Sequence, residues 1–424
     1  MDHNTPHIQQ SEQQARLSLL IPAQDRVPHP SRLCEGWGNR VSDPLSFPRT
    51  FLLTLAILLT ATLPAKAQWD IQESHTTASL RGIHNVGGGV AWASGTEGTV
   101  LRTEDGGYLW QGCATPPGAE KLDFRGIQAF DENTAIVMSS GKGDLSRLYK
   151  TTDGCRTWKL LFTNPDKEGF WDALQFTSQG SGYLLGDPVD GKFVIFHSSD
   201  SGASWKQLTD TGLKSFASDG AFAASNSSLV VVGQSPYFGT GGSTGGHLYR
   251  QDPCSHSGPC LLATATWSRH AVPVGIGPQN AGIFSVAGRR VTDTSGRSQW
   301  LLVAVGGDYT KPADTSSTAA SSFDDGANWT PALSPPHGYR SAVAYDPTTK
   351  TWITVGPNGT DISRDDGRNW SPLKPTATEP QDADKNWNAL SLPFVVGPKG
   401  RIGKLRNNAI PTAASSKEEK DKKD

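Results

Sequence analysis

No sign of charge dominates this chain of 424 residues: 39 basic residues meet 41 acidic ones, for a formal net charge of −2. That balance gives no reason to expect nucleic acid or an anionic membrane as a partner. Long stretches of 3.6-residue apolar period are missing, which excludes a helical bundle. There is no dinucleotide fingerprint and no metal-ligand motif, so neither a cofactor nor a metal is expected. The Gly-rich stretch FGTGGSTGGH at 238–247 lacks Gly-Lys-Ser/Thr and a following helix, and reads as a flexible loop rather than a phosphate cradle. The apolar run Phe51–Leu63 is shorter than the roughly 20 residues that cross a bilayer, so no stable membrane span is expected.

What is present near the N-terminus is a leader pattern. Residues 1–50 are polar, Pro-rich and aperiodic, and read as disordered or as a start placed too early. Arg49, the run Phe51–Leu63 and the small-x-small triplet Ala65-Lys66-Ala67 then follow in the order of a secretory signal over 51–67, with cleavage after Ala67. Apart from Met1 the sequence holds one methionine, Met138. The buried position of the leader predicts initiation near Val41 or Leu45 on an alternative start codon. The expected location is secreted or periplasmic. Cysteine usage agrees: of five, Cys34 precedes the cut, leaving Cys113, Cys155, Cys254 and Cys260. Cys254 and Cys260 are close enough to close a small loop, and Cys113 and Cys155 would then pair across neighbouring repeats, as an oxidising compartment permits. A zinc site around Cys254, His256 and Cys260 lacks a nearby fourth ligand. No Cys directly follows the cut to carry a lipid anchor, and the charged segment 411–424 reads as a disordered tail.

Gly (46), Pro (28) and Trp (13) suit many short strands joined by tight turns. One motif recurs, Ser/Thr-x-Asp-x-Gly-x-x-Trp: TEDGGYLW (103–110), TTDGCRTW (151–158), SSDSGASW (198–205), SFDDGANW (322–329) and SRDDGRNW (363–370). A degenerate copy ends at Trp267. The Asp residues 105, 153, 200, 324 and 365 sit at equivalent positions and cannot converge on one site. Asp105, Asp153, Asp200, Asp324 and Asp365 are therefore turn-formers: carboxylate and hydroxyl bond the nearby backbone, Gly supplies a positive φ, and the Trp anchors the turn between strands. Upstream of each motif lie three more strands. Their second members end in ASG (93–95), SSG (139–141), LLGD (184–187), VVG (231–233), AVGG (304–307), TVG (354–356) and VVG (395–397). Four antiparallel strands per repeat make a propeller blade, and seven such endings predict an all-β, seven-bladed β-propeller over 68–410. The last blade runs out of chain, and the segment from Trp69 to Glu73 can supply its outer strand and close the ring.

The motif joins the third and fourth strands of a blade, so the second-to-third and inter-blade connections lie on the opposite face. The longest insertions on that face are 234–246 and 308–319. The starts of the inner strands, read as Arg81, Arg125, Asp172, Asp219, Arg340 and Asn388, face a solvated central channel suited to an anionic or polyhydroxyl ligand. Asp187, Asp308, Tyr309, Lys311 and Tyr339 lie on the same face and complete the candidate ligand set, with Asp190 nearby.

The stretches SLRGI…AWASGTEGTVLRTEDGGYLW, SSGKGDLSRLYKTTDGCRTW, GFWDALQF…LLGDPVDGKF, AGIFSV, VGGDYTKP and YRSAVAY resemble the Asp-box (BNR) propellers related to the photosystem II stability/assembly factor, in a bacterial branch whose members are often exported. The resemblance covers residues 69–406. It implies the same fold. Strong structural repetition without a recognisable catalytic set points to a binding or assembly role, with a protein partner or carbohydrate ligand, and a monomer is expected. Asp-box propellers also include sialidases. Arg81, Arg125 and Arg340 could form a carboxylate clamp beside Tyr339, but LRGI at 80–83 replaces the Phe/Tyr-Arg-Ile-Pro opening, and Glu168 is the sole Glu on that face to pair with a Tyr nucleophile. Another glycoside hydrolase would need two flanking carboxylates, for which Asp172 and Asp187 stand ready. Two readings therefore go forward: a non-catalytic binding propeller and a glycosidase at the channel mouth.

Overall fold

The computed structural model describes residues 68–209, 212–216, 219–252, 266–292, 296–376 and 379–410. The N-terminal extension, the signal segment, Cys254, Cys260 and the charged tail lie outside them. The described chain is built from strands, with one 3-10 turn at Gly143–Leu145, and no described helix is long and apolar enough to cross a membrane.

The strands are β1 (Trp69–Gln72), then β2 (Leu80–Gly87), β3 (Val90–Gly95), β4 (Val100–Thr103) and β5 (Gln111–Gly112) of blade 1. Blade 2 is β6 (Phe124–Ala129), β7 (Ala135–Ser139), β8 (Arg147–Thr151) and β9 (Lys159–Thr163). Blade 3 is β10 (Trp171–Phe176), β11 (Gly182–Val189), β12 (Lys192–Ser198) and β13 (Lys206–Gln207). Blade 4 is β14 (Leu229–Val232), β15 (Ser235–Thr240), β16 (His247–Gln251) and β17 (Trp267–Ala271). Blade 5 is β18 (Ala281–Thr292), β19 (Ser298–Asp308), β20 (Ala319–Ser322) and β21 (Thr330–Pro331). Blade 6 is β22 (Ala342–Asp346), β23 (Thr351–Gly356), β24 (Gly359–Ser363) and β25 (Ser371–Pro372). Blade 7 is β26 (Ala389–Ser391), β27 (Phe394–Val396) and β28 (Ile402–Leu405), with β1 as its outer strand, paired from Trp69↔Leu405 to Gln72↔Ile402. The molecule is a seven-bladed β-propeller, closed as expected by the N-terminal strand.

Its core is not one cluster but seven layers, each between adjacent blades. Phe124 and Tyr149 of blade 2 meet Trp92 of blade 1; Trp171 of blade 3 meets Met138 and Leu148 of blade 2. The series continues round to Leu80 of blade 1 against Phe394 and Val396 of blade 7. A strand in the middle of a blade is therefore covered on both faces, which is why β7 and β23 are buried throughout while the two-residue outer strands are exposed.

The five Asp turns close as the motif requires. In each, the Ser/Thr hydroxyl donates to the Asp carboxylate at 2.7–2.9 Å. It also accepts the amide four residues on at 2.9–3.0 Å. The Asp accepts a further amide, also four residues on, at 2.9–3.0 Å. The hydrogen bond from the Thr157 hydroxyl holds Asp153 at about 2, and that from Ser204 does the same for Asp200. The Gly position has φ of 81–90° at Gly107, Gly202, Gly326 and Gly367, and Cys155 adopts φ 62° in their place. Cys155 is bonded to Cys113, which ties the outer edge of blade 1 to the Asp turn of blade 2.

Blade 4 departs from the sequence reading. Val231, Val232 and Gly233 do not end its second strand; they end β14 and turn into β15, which runs to Thr240. The second-to-third connection of blade 4 is thus 241–246, and the first half of the expected insertion 234–246 is taken up by β15. In blade 5 the connection after Asp308 is the loop that was expected.

Candidate ligand-binding cleft

The inner strands share a defect that aims one side chain at the axis. Pairing of β2 with β3 skips Arg81, that of β6 with β7 skips Arg125, that of β10 with β11 skips Asp172, and that of β18 with β19 skips Phe284. Each is a β-bulge, and a bulge re-aims the extra residue. In blades 6 and 7 the equivalent residues are Ser341 and Asn388, whose amides reach Val355 and Val396, the partners of Ala342 and Ala389. The local pattern is bulky-x-small-aliphatic: LRGI, FRGI, WDAL, IFSV, RSAV and WNAL.

Blade 4 turns its bulge into a plug. Gly220 bridges Gly241, the chain then leaves the blade, and it returns at Ser228, whose carbonyl takes the Gly239 amide. In between it crosses the axis. Arg125 donates to the Ala223 carbonyl at 3.2 Å in blade 2. Asn226 accepts the Leu174 amide at 2.7 Å and donates to the Leu174 carbonyl at 2.8 Å in blade 3. The Ser225 hydroxyl donates to the Ser341 carbonyl at 2.9 Å in blade 6, and the Ser227 hydroxyl to that of Ser285 at 2.8 Å in blade 5. The solvated channel expected from sequence is filled at this level by protein.

Above the plug, on the face away from the Asp turns, is a cleft of about 540 Å³. Arg81, Arg125, Asp172, Asp187, Tyr309, Tyr339 and Asn388 line it, so most of the sequence candidates do come together. The two arginines share Asp123, at 3.2 Å for Arg81 and 2.8 Å for Arg125. Burial lowers the pKa of Arg81, and Asp123 works against that. Asp172 is 1% exposed, and neither carboxylate oxygen has a partner. Burial, reinforced by the nearby Asp187 charge, raises its pKa well above the usual carboxylate range. Burial also pushes Asp187 up to about 6, opposed by the Ala221 amide that donates to it at 2.9 Å. An aromatic wall completes the cleft: Phe222 stacks on Phe284 at 3.9 Å, and Phe284 meets Tyr339 edge-on at 4.7 Å and Tyr309 at 6.0 Å. Burial raises the Tyr339 hydroxyl above its ordinary pKa.

Five candidates lie elsewhere. Arg340 is fully buried, one residue out of register from the cleft-facing Ser341, and is paired with Asp361, which also accepts from His337. A one-residue slip turns a strand side chain to the other face. Asp219 is enclosed by Thr244 at 2.8 Å and Arg269 at 3.1 Å beside blade 4. Asp308 caps its own loop through Thr310, with Lys311 at 3.7 Å. Glu168 is exposed and paired with Lys142, away from any Tyr. Phe222, Phe284, Ser341 and Trp387 were missed; the x position of the bulky-x-small-aliphatic pattern would have found Phe284 and Ser341 but neither Phe222 nor Trp387. Among the described residues no group of His, Cys, Asp or Glu could hold a metal ion.

No protein-family model matches this sequence, and no characterised protein matches it in sequence. Solved structures do match in fold. YCF48 bound to D1 peptide superposes with a TM-score of 0.54 at 17% identity, over 81% of this chain and 98% of that one. YCF48 from Cyanidioschyzon merolae gives 0.52 at 18% identity, over 80% of this chain and 99% of that one.

Proposed function

We propose that the chain is an exported, non-catalytic propeller that binds a protein partner through the cleft opposite its Asp turns. The observation that carries this is the convergence of the bulged residues of six blades, with the blade 4 plug as floor, on one cleft that offers guanidinium donors and an aromatic wall. Leu145, Phe216, Ile276 and Tyr309, each about half exposed or more, all stand on second-to-third or inter-blade connections of that face, and Tyr309 lines the cleft. Exposed apolar residues on the face that carries a polar-lined cleft suit a protein surface. The YCF48 neighbour bound to D1 peptide supports a partner of the same chemical kind. A leader over 51–67 and the Cys113–Cys155 bond support an oxidising, extracytoplasmic location.

Glycosidase action needs two carboxyls that flank a substrate. Asp172 is sealed from solvent at both oxygens, which argues for a structural carboxyl rather than an acid or nucleophile. The test combines two assays on purified protein: turnover of sialosides and polysaccharides, and binding to an immobilised peptide library. The proposal expects no turnover and peptide binding lost in Arg125→Ala. Turnover that Asp187→Asn abolishes would replace it with the hydrolase reading.

A further inference from the structure

The triplet Ala65-Lys66-Ala67 marks a cut whose product would begin at Gln68, and the structure holds Gln68 in an unusual way. Its backbone nitrogen donates to Glu379 Oε1 at 2.7 Å, across 311 residues of sequence. The other oxygen of Glu379 takes the Thr376 amide at 2.6 Å. The Gln68 side-chain amide donates to the Lys374 carbonyl, its own carbonyl accepts the Arg406 amide at 3.0 Å, and the residue is 9% exposed. Glu379 has no ion-pair partner among the described residues. A carboxylate whose hydrogen bonds come from two neutral amides keeps its charge uncompensated; a carboxylate meeting an ammonium is well balanced.

We propose that the Ala67–Gln68 bond is the processing site and that the α-ammonium it releases is seated on Glu379, completing blade 7. This rests on the export reading. Hydrolysis by an endopeptidase breaks the Ala67 C–Gln68 N bond; water supplies hydroxyl to the Ala67 carbonyl and hydrogen to the nitrogen, which takes up a further proton. The seat has a chemical consequence. An N-terminal Gln cyclises when its amine attacks the side-chain Cδ and ammonia leaves. Here the amine is held by Glu379 and the side-chain amide by Lys374, so the two are kept apart. The adjoining β1 is anchored by Trp69, whose indole donates to Thr360 Oγ1 at 3.2 Å, so the seat fixes the first residue of the strand that closes the ring.

The full chain is expressed with its own leader in a bacterial secretion host, and the recovered protein is read by intact-mass and N-terminal sequencing, then aged and read again. The expected result is a chain starting at Gln68 with a free amine, which cyclises about tenfold faster in Glu379→Ala and in Glu379→Gln, since a charge-assisted hydrogen bond has been removed. The Gln variant keeps an acceptor and guards against a folding defect in the Ala variant. An exported chain cut elsewhere overturns the proposal and leaves export standing. A cut at Gln68 with equal cyclisation in all three proteins overturns the seat. Retention of residues 1–67 overturns the export reading and the proposal with it.

Discussion

Replacing Asp187 by Asn should make the protein more stable at neutral pH and leave it unchanged in acid. Asp187 is partly buried and accepts the Ala221 amide at the root of the plug. Its folded pKa is about 6, against an ordinary 3.8. Below the ordinary value the carboxyl is protonated whether the chain is folded or not, and it costs nothing. Between there and about 6 the unfolded chain gives up a proton that the folded one keeps, so stability falls as pH rises. Above that the loss is complete, and the displacement corresponds to about 2 to 3 kcal/mol. Asn keeps an acceptor oxygen for Ala221 and does not titrate. The burial part of the Asp172 shift is common to both proteins, and the part due to the Asp187 charge is removed in the variant, which acts in the same direction. Urea unfolding of the two proteins should therefore give coincident midpoints at about pH 3 and a variant more stable by about 2 kcal/mol at about pH 7.5, with the same slope on urea. A difference independent of pH, or a less stable variant at the higher pH, refutes the reasoning.

Asn226→Ala leaves both the amide and the carbonyl of Leu174 without partners at the centre of the ring, and should cost about 2 to 4 kcal/mol in a denaturant titration, with faster exchange of the Leu174 amide. Ser363→Ala removes the hydroxyl that accepts the Gly367 amide and donates to Asp365; as with a lost helix cap, about 1 to 2 kcal/mol should go, read as a lower unfolding midpoint. Mutating Cys113 and Cys155 to Ser releases a crosslink between residues 42 apart and should cost about 4 kcal/mol by chain entropy, measured against the oxidised protein.

The blades were readable because a side-chain-to-backbone turn leaves a fixed spacing in sequence. Asp105 and Trp110, and their four repeats, locate the third and fourth strands of blades 1, 2, 3, 5 and 6, and counting back locates the others. The Cys113–Cys155 pairing was what remained once Cys254 and Cys260 were read as closing a small loop. The cleft was half readable, again from a local pattern. Arg81, Arg125, Asp172 and Asn388 stand in the bulky-x-small-aliphatic pattern, where a bulge turns the x residue to the axis. Arg340 misled because Arg fills the bulky position there, stabilised by buried Asp361, so the charged residue and the cleft-facing one are neighbours. Blade 4 misled because β14 and β15 are both short and apolar, and Val231-Val232-Gly233 resembles the end of a second strand while being the end of a first. The plug left no local signal: Ala221–Ser227 reads AFAASNS, with no period or motif, and what makes it a plug is the ring of backbone groups around it.

The central claim is that a partner is held at the cleft and not at the Asp turns. A photo-crosslinking residue placed at Tyr309, on the cleft, is to be compared with one at Tyr108, which stands 91% exposed on an Asp turn. Each protein is exported from the native host and its adducts identified by mass spectrometry. The account predicts one protein adduct from the Tyr309 position, lost when Arg125 is also changed to Ala, and none from Tyr108. Adducts to the same protein from Tyr108 alone would contradict it.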